Sequence, residues 1–122
     1  MPLQKNQRFV RRVRFAVAGL GAAWRFEHSF RYQCAALVCV LVVLVRMRVE
    51  PMWWALVTLT CCAVITAELF NTALEHLADH LHPDIHPRIR IVKDCAAAAV
   101  LVAALGALGV GAALTVHLLQ RP

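Results

Sequence analysis

Residues 53–79 read WWALVTLTCCAVITAELFNTALEHLAD. The stretch opens on a tryptophan pair, runs apolar to Leu74 and carries a single acid, Glu68, inside that run. A bilayer span needs about 20 mostly apolar residues, and tryptophans gather where a span meets water. Trp53 to Leu74 therefore predicts a transmembrane helix that continues into a polar extension from Glu75. On a helix turning about 100° per residue, Glu68, Asn71, Glu75 and Asp79 fall within about 80° of one another. Asp79 reads most simply as a solvated helix end. Glu68 does not, because a carboxylate inside a span costs roughly 2.5–3.5 kcal/mol on insertion scales and marks function.

The same reading extends outward. Tyr32 to Val45 is almost continuously apolar and is closed by Arg46, Arg48 and Glu50. It spans as residues 30–48 if Phe30 and Arg31 begin the helix and Arg46 reaches back to the interface. Pro51 marks the turn into the next span, and Cys95 to Leu119 forms a third, long enough to tilt. The segment from Glu75 to Asp94 is polar, with Pro83 and Pro87 ruling out one continuous helix. Residues 7–25 form an amphipathic helix: Phe9, Val10, Val13, Ala16, Val17, Leu20 and Trp24 share an arc of about 120°, with the arginines outside it. Phe15 breaks that pattern and offers a flat apolar face for a base ring. The expected fold is an all-α membrane protein, one domain over 1–122, with a surface helix at 7–25 and transmembrane helices at 30–48, 53–74 and 95–119.

Composition agrees. Of 122 residues, 61% are hydrophobic and 16% charged, with a mean hydropathy of +0.64. A soluble domain is about a quarter charged and, at this size, buries only ~60–70% of its surface, while a disordered chain is poor in apolar residues. The net charge is +6, and seven of the 13 Lys+Arg precede the first long apolar run. With the N-terminus inside, ten positive residues face the cytoplasm against Arg46, Arg48 and Arg121 outside. The positive-inside rule thus puts the N-terminus and the 75–94 loop in the cytoplasm. Transmembrane-length segments argue against nucleic acid as the partner of this charge. The charged N-terminal stretch is too long for a secretory signal. The five cysteines lack metal-like spacing and read as small apolar residues. Ala103, Ala107 and Gly111 form a small-residue face for close helix packing. Three helices wall off little from lipid, which predicts a homo-oligomer.

Glu27, Glu68, Asn71, Glu75 and Asp79 together suit two jobs. Carboxylates hold Mg²⁺, which takes one or two of them plus substrate phosphates. A partly desolvated glutamate can deprotonate a hydroxyl. Lys93-Asp94 adds a cation for phosphate. Phosphoryl transfer at a cytoplasmic interface fits all three, although no Walker A sequence or Gly-rich kinase loop occurs. The rival reading is a small proton-coupled transporter using Glu68; it leaves Glu27, Asn71, Glu75 and Lys93-Asp94 unexplained. His76, His80, His82 and His86 read as a polar interfacial run rather than a metal site.

The chain resembles the prokaryotic integral-membrane diacylglycerol kinase and undecaprenol kinase family. Three motifs carry the likeness: Ala22-Ala23-Trp24-x-x-Glu27-x-x-Phe30-Arg31, Glu68-x-x-Asn71-Thr72-Ala73-x-Glu75-x-x-x-Asp79, and Lys93-Asp94-x-Ala96-x-Ala98-Ala99-Val100. The resemblance implies a homotrimer in the bacterial inner membrane, with sites shared between subunits, that phosphorylates a lipid alcohol directly from ATP. It implies Glu68 as catalytic base and Glu27 and Glu75 as Mg²⁺ ligands. Arg8, Phe15, Lys93 and Asp94 would meet the nucleotide with Glu27 and Glu75. Asn71 and Asp79 would support the site, and Trp24, Phe30 and Arg31 would face the lipid with Glu68. Asn71-Thr72-Ala73 and His86-Pro87 look like the undecaprenol branch. Ala22-Ala23-Trp24 and the Phe30-Arg31 pair look like the diacylglycerol branch, which carries an acid where Gln33 stands. The balance tips towards undecaprenol, with diacylglycerol as the alternative.

Overall fold

The computed structural model describes residues 9–84 and 86–121. The described residues form four helices: α1 (Phe9–Phe26), α2 (His28–Met47), α3 (Pro51–Leu81) and α4 (Pro87–Leu119). The last three are long and apolar enough to cross a membrane. At 1.5 Å per residue, α2 is about 30 Å long, the thickness of the hydrocarbon layer. The 31 residues of α3 and 33 of α4 outrun it by several turns.

Each junction has a local cause. α1 and α2 are separated only by Glu27, whose extended backbone (φ −112°, ψ 115°) turns the chain while its side chain makes no cap bond. Arg48 ends α2 in the left-handed conformation, φ 48°, a position glycine usually fills. Pro51 opens α3 and Pro87 opens α4, at the one helical position where proline's missing N–H and fixed φ suit the geometry. α4 therefore starts well before Cys95, because the 75–94 segment breaks only between Leu81 and Pro87. His86 caps α4, its Nδ1 accepting the Arg88 N–H at 3.2 Å, which gives one member of the histidine run a structural role.

α3 and α4 run antiparallel and share the most extensive contact, pinned at both ends. α2 joins them mainly at its C-terminal end, where Leu44, Val49, Val57 and Leu114 form the core against Trp53 and Trp54. Beside that core, Glu50 accepts from Arg121 and meets His117 Nε2 at 3.1 Å, and Arg121 also donates to the Met47 carbonyl at 3.2 Å. Toward the other end the helices part around an apolar cleft of about 640 Å³, lined by Leu37, Val40, Val64, Ala107 and Gly111 among others. Ala107 and Gly111 of the small-residue face of α4 line this cleft, and a Cβ at Gly111 would meet nothing within 4 Å. The expected close packing across it is not made within the protomer. Leu44 is the only large side chain fully buried among the described residues.

Candidate active site

The polar residues collect at the end opposite that core, where α1, the start of α2, the end of α3 and the start of α4 meet. Glu68 is the most deeply placed, 3% exposed. A buried carboxylate must find donors or bear a heavy desolvation cost. It finds two on α2: the Ser29 hydroxyl donates to Oε1, and Gln33 Nε2 donates to Oε2 at 3.1 Å.

One to two turns further along α3, Asn71 Nδ2 donates to Glu75 Oε1 at 3.2 Å. This bond leaves Asn71 Oδ1 buried without a partner, as are Gln33 Oε1 and Thr72 Oγ1. All three atoms belong to residues bonded to Glu68 or within about one helical turn of it on α3. Thr72 lines a second apolar cavity of about 510 Å³ between α1 and α3, with Ala16, Leu20, Phe26 and His76. Buried polar atoms left open beside two cavities suit a site that receives polar groups from outside.

Glu27, at the α1–α2 joint, lies 3.7 Å from His76 Nε2, and the His76 ring sits edge-on to Phe26 at 6.1 Å between centroids. His76 follows Glu75 directly, so Glu27 reaches the Glu75 turn of α3. At the outer edge Lys93 of α4 pairs with Asp79 of α3. Asp94 points outward and meets Arg90 at 3.8 Å.

The structure thus groups Glu68 with α2, Glu75 with Asn71 and Glu27 with His76, and Asp79 with Lys93. The one-face reading of α3 separates into a buried carboxylate, Glu68, and a more open one, Glu75, about 10 Å along the helix axis. Phe30 is buried at 4% exposure, whereas Phe15 and Trp24 on α1 are half exposed. Arg31 bonds His28 Nδ1 at 2.7 Å. Arg8 lies outside the described residues. Ser29, Gln33, Thr72 and His76 were not among the sequence candidates. Ser29 and Gln33 did leave a signal, two polar residues one turn apart at the head of an apolar helix.

The oxygen-rich set of Glu27, Glu75 and the free Asn71 Oδ1 fits Mg²⁺, which takes hard oxygen ligands and leaves room for phosphates. Among the described residues no three His, Cys, Asp or Glu side chains converge as a metal cage.

The sequence profile described as prokaryotic diacylglycerol kinase matches residues 14–115. The chain is 36% identical over 119 residues to a diacylglycerol kinase of Synechocystis, covering 93% of this chain and 68% of that one. It is 32% identical over 98 residues to an undecaprenol kinase of Bacillus subtilis, covering 80% of each. A diacylglycerol kinase of Escherichia coli is 28% identical over 96 residues, covering 79% of each.

Proposed function

We propose, from the premise that this chain belongs to the prokaryotic diacylglycerol kinase family and is a lipid kinase, that it transfers the γ-phosphoryl group of ATP directly to the hydroxyl of a membrane lipid alcohol. The observation that carries this reading is Glu68: a carboxylate 3% exposed in an apolar helix, held through both oxygens. Each carboxylate oxygen has two lone pairs, so Glu68 can still accept the proton of an incoming hydroxyl. The lipid oxygen then bonds to the γ-phosphorus, in line with the departing oxygen, as the bond to the β–γ bridge breaks and ADP leaves. Glu27 and Glu75 would hold the Mg²⁺, whose charge balances the phosphates when bound. Lys93, steered by Asp79, supplies a cation for phosphate. Asp94, Phe15 and Arg8 would contact the nucleotide, and Asn71 orients Glu75. Trp24 and Arg31 face the lipid, while buried Phe30 supports the floor beneath it.

The N-terminus and the Glu75–Asp94 segment lie in the cytoplasm in this reading, where ATP is available. α1 rests on the membrane surface along its apolar stripe. Subunits assemble as a homotrimer and share sites, which covers apolar faces that one protomer leaves open. Two acceptors are favoured by different observations. Asn71-Thr72-Ala73 and His86-Pro87 speak for undecaprenol, and the 36% identity to a diacylglycerol kinase over 93% of the chain speaks for diacylglycerol.

Labelled ATP offered to purified protein in mixed micelles, with each alcohol alone and then both in competition, tests the reading. Transfer is expected, and Glu68→Gln should lower it by roughly 10²–10⁴-fold, the usual contribution of a general base. Wild-type rates in Glu68→Gln would remove its role as base. No transfer to either alcohol by folded protein would remove the proposed acceptors.

A further inference from the structure

Ser29 and Gln33 stand four residues apart on α2, one helical turn, and both donate to Glu68 on α3. We propose that they are positioning residues for the phosphoryl transfer: a two-donor clamp, Ser29 on one oxygen and Gln33 on the other, that fixes the plane of the Glu68 carboxylate for the incoming lipid hydroxyl. The inference rests on Glu68 being the base.

Three features support a catalytic rather than a packing purpose. Ser29 is exposed, so its side chain fills no core position. It also lies in the first turn of α2, where a serine commonly caps backbone N–H groups. Here Glu27 occupies the cap position without a side-chain bond, and the Ser29 hydroxyl is directed across to the other helix. Gln33 uses its amide N–H on Glu68 while its carbonyl oxygen remains buried without a partner, and its side chain lines the 640 Å³ cleft. The amide therefore joins the base to an apolar cleft that opens between the same helices.

The mechanical argument concerns side-chain freedom. A glutamate has three rotatable side-chain bonds, and a base must present a lone pair within a narrow distance and angle to act. One donor would leave the carboxylate free to pivot about that bond. Two donors on different oxygens remove the pivot and leave the remaining lone pairs aimed at one place.

The test uses the full chain in mixed micelles with ATP, Mg²⁺ and whichever lipid alcohol is the better acceptor. Rates are compared for Ser29→Ala, Ser29→Thr, Gln33→Leu, the Ser29→Ala/Gln33→Leu double variant and Glu68→Gln. Ser29→Ala and Gln33→Leu should each lower kcat about tenfold, the scale of a lost hydrogen bond to a charged group, with KM for ATP unchanged. Ser29→Thr, which keeps the hydroxyl, should recover most of the rate. The double variant should lose less than the product of the singles, because both act through one carboxylate. Full kcat in Ser29→Ala and Gln33→Leu beside an inactive Glu68→Gln overturns the clamp and leaves the base intact. A loss seen only in KM for ATP, or no recovery with threonine, also overturns it. Activity in Glu68→Gln overturns the base assignment and the clamp with it. Melting curves show whether Gln33→Leu is folded; Ser29 variants, at an exposed position, carry the test on their own.

Discussion

Glu68 and Glu75 lie two turns apart on α3, and their neighbours separate them: the first is buried and bonded from α2, the second is half-buried beside Asn71. In the proposed reaction this difference suits the enclosed acid to proton transfer and the more open one to cation binding, since a cation shared with ATP must be reachable by its phosphates. Glu75→Gln is accordingly expected to raise the Mg²⁺ concentration for half-maximal rate by at least about tenfold, a loss typical even of groups that only support a metal ligand. Titrating Mg²⁺ at saturating lipid measures it; an unchanged requirement would move the cation elsewhere. The acids of this site were legible because charge in an apolar run is costly and therefore conspicuous. Their donors were less so, because serine and glutamine are mild enough to pass as tolerated residues until the partner helix is known to face them.

The α2–α3 turn shows how an element boundary can be set against local preference. Arg48 holds φ at 48°, where a residue with a Cβ loses about 1–2 kcal/mol relative to glycine. The surrounding contacts compensate: Val49 is buried against Leu44 and Val57, and Pro51 starts the next helix at once. Arg48→Gly is expected to stabilise the protein by about 1 kcal/mol, read as a higher unfolding midpoint in detergent. A lower midpoint would show that the arginine side chain contributes more than its backbone costs. Pro51 made the start of α3 legible. The early start of α4 was harder to read, because Arg88, Arg90 and Lys93 look like loop residues and are instead the charged first turns of a helix longer than the membrane is thick.

Across the whole molecule, tight packing gathers at one end and chemistry at the other. Glu50 belongs to the packed end, where the Arg121 hydrogen bond, helped by the backbone and His117, holds its carboxyl at about 2 instead of the ordinary 4.5. A carboxyl ionised more readily in the folded state stabilises it fully above pH about 4.5 and loses that contribution as pH falls through about 2. The carboxylate is open to solvent, so salt should weaken the effect. An NMR titration of Glu50 in micelles should find a midpoint near 2, rising toward 4.5 in Arg121→Ala; a midpoint of 4.5 in the unaltered protein would dissolve this clasp. The rest of the molecule is more open: two cavities lie between the helices, and many large apolar side chains remain exposed, as suits a chain that lies in lipid.

The order of helices, their apolar length and the acids that interrupt it follow from residue type and spacing along one strand of chain. Hydrophobic transfer and helical periodicity act locally enough to be read there. Which donors meet Glu68, that Glu27 reaches His76, and that Asp79 rather than Asp94 holds Lys93 were decided only when α1, α2 and α4 were laid against α3. Those pairings depend on helix rotation and depth, and side chains far apart in sequence have no local rule that brings them together.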